Sequence, residues 1–150
     1  MKSWIARIIA VAAVALIASA CSPQEMKALY DSIGVTATDA QVAADAQAVT
    51  DWANQYQALH RFDYAVSDVG LARLRACESG GNYQAVSASG AFRGAYQFSR
   101  STWNGVAVAN FPQYKGVDPA TASPEVQDAF TRALYAQLGG KPWPVCGRRI

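Results

Sequence analysis

The sequence predicts a predominantly helical α+β protein, in which a small C-terminal domain follows a leader and a helical spacer. Three observations carry that expectation. An apolar run opens the chain, the sign of the charge reverses near Asp68, and helical patterns in the second half flank a stretch of turns and short extended pieces between Gly80 and Gly94. With 150 residues and 51% hydrophobic content, the chain can bury one modest core plus accessory segments, and two large domains are excluded.

Residues 1–20 have the layout of an export signal. Lys2 and Arg7 form a short basic start, Ile8 to Ile17 is unbroken apolar sequence, and Ala18-Ser19-Ala20 supplies small residues before Cys21. The run from Ile8 to Ala20 is 13 residues, short of the roughly 20 that cross a bilayer. Cys21 directly after Ile17-Ala18-Ser19-Ala20 resembles the lipobox of bacterial lipoproteins, whose cysteine becomes the acylated mature N-terminus. Ala18-x-Ala20 would equally suit ordinary cleavage without lipid. The expectation is an exported, envelope-associated chain, held to the outer face of the membrane through Cys21 if the lipid is added.

The spacer, residues 21–67, is acidic: residues 22–68 carry two basic against seven acidic side chains. Thr38-x-x-Gln41 has capping-box form. Val42, Val49, Trp52, Tyr56 and Leu59 follow at mostly helical spacing through sequence free of Gly and Pro, which predicts one long helix. Its apolar stripe is expected to pack on the basic domain, with recruitment of a partner as the alternative. His60, the chain's single histidine, is expected at the surface; with no clustered ligands, neither a zinc site nor any other metal or cofactor is expected.

The domain at residues 68–150 carries, from residue 69 onward, nine basic against four acidic side chains. A basic face attracts polyanions generally, wall polymers as well as nucleic acid. No nucleic-acid motif accompanies the charge, so no nucleic-acid partner is expected. The element order reads as a helix from Asp68 to Cys77, turns to Gly94, a helix around Ser99 to Asn104, a loop through Pro112 and Pro119, and a helix from Ser123. There Ser123 as N-cap and Pro124 at the first helical position mark the start, and Gly139-Gly140 the stop.

Three cysteines in an exported chain leave one odd, and Cys77 with Cys146 makes a natural disulfide pair. The bond would close a loop of about seventy residues, a stabilisation of roughly 4 kcal/mol by the loop-entropy relation. Cys77 as a nucleophile lacks a partner, because the single histidine stands on the upstream helix.

Leu71, Leu74 and Glu78 stand at i, i+3 and i+7, so the carboxylate ends an apolar stripe instead of joining a polar face. Gly80-Gly81 then stops the helix, leaving Glu78 near unpaired carbonyls. Burial and the helix C-terminus both disfavour the anion and would raise its pKa, as a general acid needs. On pattern alone, an ordinary solvated helix-end glutamate is an equal alternative.

Four motifs in order decide between these readings. Cys77-Glu78-Ser79-Gly80-Gly81-Asn82, then Gly94-Ala95-Tyr96-Gln97-Phe98, then Thr102-Trp103, then Trp143-Pro144-Val145-Cys146-Gly147 resemble the catalytic domain of the resuscitation-promoting factor family. The likeness runs from near Asp68 to Gly147. Glu-Ser-Gly-Gly-Asn, with Ala85-Val86-Ser87 before Ser89-Gly90-Ala91, also looks like soluble lytic transglycosylases, which share the lysozyme-like fold. Ser87 to Arg93, and Ala95 in place of a second glycine, depart from the resuscitation factors.

The resemblance implies a lysozyme-like domain that cleaves peptidoglycan between N-acetylmuramic acid and N-acetylglucosamine, with Glu78 as the acid. By position, Gln97 and Thr102 match polar residues along the family's sugar cleft, and Asn82 joins them as a substrate-binding candidate. Tyr83 and Tyr96 are the aromatic candidates for a pyranose face, whereas Phe98 and Trp103 are assigned to the core. Glu125 and Asp128 are explained by their place at the start of the Ser123 helix, and Asp118-Pro119 by a turn. Without a second carboxylate the expectation is a one-carboxylate, transglycosylase-type reaction. Partners are then peptidoglycan strands and, as a candidate, another cell-wall enzyme, with the chain itself a monomer. The alternative is a glycan-binding or signalling lipoprotein that does not cut.

Overall fold

A computed structural model describes residues 22–150; the export segment and Cys21 lie outside the described residues. The chain divides after Gln57 into two compact units.

In the first unit, α1 (Pro23–Ser32) starts where Ser22 accepts from the Glu25 N–H and the Glu25 carboxylate answers the Ser22 N–H, a closed capping box with Pro at the first position. The expected single spacer helix is therefore preceded by another. The Ser-Pro pattern that marks the start at Ser123 stands here too, at Ser22-Pro23. After a turn at Gly34 the chain enters α2 (Asp39–His60), where Gln41 donates its N–H to Thr38 Oγ1. Met26 and Tyr30 of α1 bury against Val42, Ala46 and Val49 of α2, and Tyr30 donates its hydroxyl to Asp45 at 2.7 Å. The apolar stripe is thus divided: Val42 and Val49 pack with α1, Leu59 enters the second core, and Trp52 and Tyr56 remain 46% and 47% exposed, stacked 5.4 Å apart.

The second unit begins ahead of the charge reversal because Leu59, Phe62, Ala65 and Val66 already belong to its core. Arg132 holds this lead-in, donating to the Val66 carbonyl and pairing with Asp63 and Asp68. Then follow α3 (Asp68–Ser79), a two-stranded antiparallel hairpin of β1 (Phe92–Arg93) and β2 (Phe98–Ser99), α4 (Arg100–Asn110), α5 (Pro124–Leu138), and short 3-10 turns at Pro112–Tyr114, Pro119–Thr121 and Cys146–Arg149. The outcome is the expected helix-dominated α+β arrangement. Serine N-caps start all three helices, Ser67, Ser99 and Ser123, each accepting a backbone N–H. Helix α4 runs past its expected end to Asn110, since Val106 and Ala107 supply buried contacts.

Phe130 of α5 sits at the centre of an aromatic core. Trp103 stacks on it at 3.7 Å and Phe111 at 4.8 Å, while Phe98 and Tyr114 meet it edge-on. Phe98 and Trp103 are core residues, as expected. The Cys77–Cys146 disulfide ties the end of α3 to the C-terminal turn. Gly140 and Gly147 approach so closely that a Cβ on either would strike the other's carbonyl group, which is why no side chain stands at these two positions. Among the described residues no helix is long and apolar enough to cross a membrane.

Candidate active site

Helix α3 delivers Glu78. Leu71 and Leu74 are fully buried on the same stripe, so the helix is rotated to carry the carboxyl toward the protein, where it is part-buried. The helix ends because Gly80 takes φ +66°; its N–H and that of Gly81 cap the carbonyls of Ala76 and Arg75. Burial raises the Glu78 pKa above the ordinary 4.5. Desolvation is the cause of the shift.

The other side-chain carboxylates of this unit are engaged. Asp118 takes Arg93 and Arg100, and Arg93 above all holds its pKa below the usual range. Asp63 and Glu125 flank the ring of His60, at 2.7 and 3.3 Å, and Asp68 pairs with Arg132. Asp128 accepts hydroxyl protons from Tyr83 at 2.8 Å and Tyr96 at 2.6 Å. Among the described residues of this unit, Glu78 is the side-chain carboxylate with no hydrogen-bond or ion-pair partner. Asp128 does more than favour its helix start, a correction to its reading, and His60, part-exposed, bridges Asp63 and Glu125.

The hairpin turn lies against the end of α3. Ser79, next to Glu78, donates its hydroxyl to the Ala95 carbonyl at 2.8 Å, which fixes the Gly94–Gln97 turn beside the end of α3. Gly94 adopts φ +80°, and a Cβ there would collide with Gln127 Oε1. Gln97 is a non-glycine residue at positive φ, 52°, with its side-chain amide bonded to the Gly94 carbonyl at 2.9 Å. Strain of this kind persists only where surrounding structure enforces it.

The remaining site candidates fare differently. Tyr83 is half-buried, packed edge-on against Tyr96 with ring centres 6.4 Å apart. Tyr96 is 0% exposed and accepts the Trp143 indole N–H on its carbonyl at 2.9 Å. Its ring offers no face to a sugar, a correction to its expected role: of two nearby tyrosines, tertiary packing turned one inward. Burial, then the Asp128 carboxylate, pushes both phenols up, so they stay protonated donors. Thr102 is half-buried and shares its hydroxyl with the N-cap Ser99 at 2.8 Å. Asn82 is exposed, its Oδ1 accepting the Gln84 N–H in a local turn.

Sequence reasoning missed Gln127, Ser79 and Arg75. Gln127 is completely buried and makes three hydrogen bonds, to Ala95, Tyr83 and Ala122. A signal for it existed. It stands three and four residues before Phe130 and Thr131, a long amide on the apolar face of α5. Among the described residues no cluster of His, Cys, Asp and Glu is gathered as a metal would require.

Over 73 residues the chain is 45% identical to proteins named "Probable transglycosylase SceD" from Staphylococcus aureus, strains Newman and USA300 among them. That stretch covers 49% of this chain and 30% of each relative. No solved structure matches. A family model for the transglycosylase-like domain matches residues 65–146, more than half of the protein and the whole of the site just described, and the chain belongs to that family.

Proposed function

We propose that this protein cleaves peptidoglycan glycan strands at the β-1,4 bond from N-acetylmuramic acid to N-acetylglucosamine, with Glu78 as the single acid and base. The observation that carries this reading is a part-buried, partnerless carboxyl on an otherwise committed set of carboxylates, within a transglycosylase-like domain. Burial favours the protonated form of Glu78, and in that form it gives its proton to the glycosidic oxygen as the muramyl C1–O bond breaks. The resulting carboxylate then takes the proton from the muramyl 6-hydroxyl, whose oxygen closes on C1 as a 1,6-anhydro ring. No water is consumed. Gln97, Thr102 and Asn82 supply amide and hydroxyl groups to the sugar, and the Tyr83 ring an apolar face.

Digestion of purified peptidoglycan followed by mass analysis of the muropeptides tests the route. Products 18 Da lighter than the hydrolytic ones, ending in anhydromuramic acid, are expected, on the order of the mass of one water retained or lost. Exclusively reducing muramyl ends would replace this mechanism with hydrolysis. A wild-type protein that binds strands and releases nothing would favour the non-cutting, glycan-holding reading.

The same proposal places the protein outside the membrane, exported and anchored by lipid on Cys21. Mass spectrometry of the mature N-terminus is expected to find Cys21 diacylated or triacylated. An unmodified Cys21 removes the anchor and leaves a secreted enzyme.

A further inference from the structure

Asp128 is a part-buried acid that the proposed chemistry does not use. Its Oδ1 accepts from two phenols, those of Tyr83 and Tyr96. The residue before it, Gln127, engages the same two segments through their backbones: Oε1 accepts the Ala95 N–H at 2.8 Å, and Nε2 donates to the Tyr83 carbonyl at 3.0 Å. Consecutive residues of α5 therefore hold Tyr83 at its carbonyl and at its phenol, and hold the Ala95-Tyr96 pair by a peptide N–H and by a hydroxyl. Helix α3 closes the arrangement from its own side. Arg75 donates to the Tyr96 hydroxyl at 3.3 Å with its guanidinium 5.8 Å from the Tyr83 ring centre, and Ser79 donates to the Ala95 carbonyl.

Such an arrangement is costly if stability is all it provides. A carboxylate withdrawn from water carries a desolvation cost that its hydrogen bonds must offset, and the stacked aromatic core already supplies burial. What the hydrogen bonds add is direction. They fix two chain segments that are 13 residues apart in sequence, Tyr83 and Tyr96, onto one helix turn. Of the two residues, Tyr96 is buried and Tyr83 retains exposed surface. An aromatic ring offers a sugar a better flat apolar face when it is held in place: the Asp128 bond fixes the far end of the Tyr83 ring, and edge-on packing against Tyr96 restricts its plane.

We propose that Gln127 and Asp128 form a positioning clamp for glycan recognition, fixing the Tyr83 ring and the Gly94–Gln97 turn so that both can hold a strand that Glu78 cleaves. The clamp rests on the glycan-cleaving reading of the site. It acts through Tyr83 and the turn, not on the reacting atoms, so its loss weakens strand binding and leaves the proton transfer intact.

The test uses the full chain and soluble, uncrosslinked peptidoglycan strands, with KM, kcat and thermal midpoint measured for Asp128→Leu, Asp128→Asn and Tyr83→Phe. Asparagine keeps an acceptor oxygen for both phenols, leucine has none, and phenylalanine keeps the ring without its tether. For Asp128→Leu, KM is expected to rise about tenfold, the equivalent of one or two lost hydrogen bonds, with kcat within about twofold. Tyr83→Phe is expected to raise KM about threefold, on the same scale, and to add little in the Asp128→Leu background, since both remove one interaction. Asp128→Asn should recover most of the KM lost in Asp128→Leu. An unchanged KM in Tyr83→Phe and Asp128→Leu, or an asparagine variant no better than leucine, overturns the clamp. If Asp128→Leu does not fold, Tyr83→Phe and Asp128→Asn decide. A wild-type protein that turns over no strands overturns the glycan-cleaving reading itself, and this result is separate from wild-type activity that the variants share.

Discussion

Glu78→Gln is expected to lower glycan-strand cleavage by a factor on the order of 10² to 10⁴, the range general acid–base groups contribute, while leaving the fold intact. Glutamine keeps the shape of the side chain and loses the proton that it would donate. The variant should also be the more stable protein at neutral pH. Burial raises the folded-state pKa of Glu78 above its ordinary value of 4.5, so the folded state favours the protonated form. That contribution is fully present below the unfolded value and is lost as pH rises through the raised folded value. Above that window the wild type carries the cost of a desolvated anion and the glutamine variant does not. Thermal unfolding of both proteins from about pH 4 to pH 8 reads the difference, which should be absent at the acid end, where Glu78 is protonated, and grow with pH. The wild-type rate should fall over the same window as the acid form is depleted. Equal turnover by the two proteins would remove Glu78 from the chemistry, and a stability gap independent of pH would remove burial as the cause of its shift.

The second large effect is expected on replacing both Cys77 and Cys146 with serine. Their bond spans 69 residues, and loop entropy assigns it roughly 4 kcal/mol. That is a large part of the total of about 5–15 kcal/mol that a domain has to lose. The thermal midpoint should drop by roughly 15 °C or more for a domain of this size. The double variant is preferable to a reductant because it leaves Cys21 untouched. Activity should fall further than the unfolded fraction explains, since Cys77 adjoins Glu78 and the bond holds the end of α3 against the C-terminal turn. A midpoint unchanged within error would show that the aromatic core around Phe130 suffices without the staple.

Much of the site was legible because its signals are local. Leu71, Leu74 and Glu78 share a helical face by spacing alone, Gly80 stops the helix where an αL residue is needed, and Ser123-Pro124 starts α5. The helix at Pro23–Ser32 was equally legible, from Ser22-Pro23 and Glu25 at the third position, yet went unread beside the longer periodic stretch that follows. The stripe of that longer helix shows the limit of periodicity. It says that Val42, Val49 and Leu59 turn one way, but not that the first two meet Met26 and Tyr30 while Leu59 enters a different core.

By itself, the sequence determined the helix boundaries set by caps, the placement of a carboxyl at the end of an apolar stripe, the cysteine pair and the likeness to a transglycosylase-like family that the motif order implied. Tertiary structure alone decided which tyrosine stays at the surface and what the other carboxylates do. Tyr83 and Tyr96 each stand two residues after a glycine and both bond Asp128, 45 and 32 residues further along the chain; what separates them is packing, which seals Tyr96 in the core, its carbonyl taking the Trp143 indole N–H, and leaves Tyr83 part-exposed. Caps and stripes depend on neighbours within a few residues and can be read along a line. A hydrogen bond between distant residues depends on how helices pack, and exists only once the chain has closed on itself.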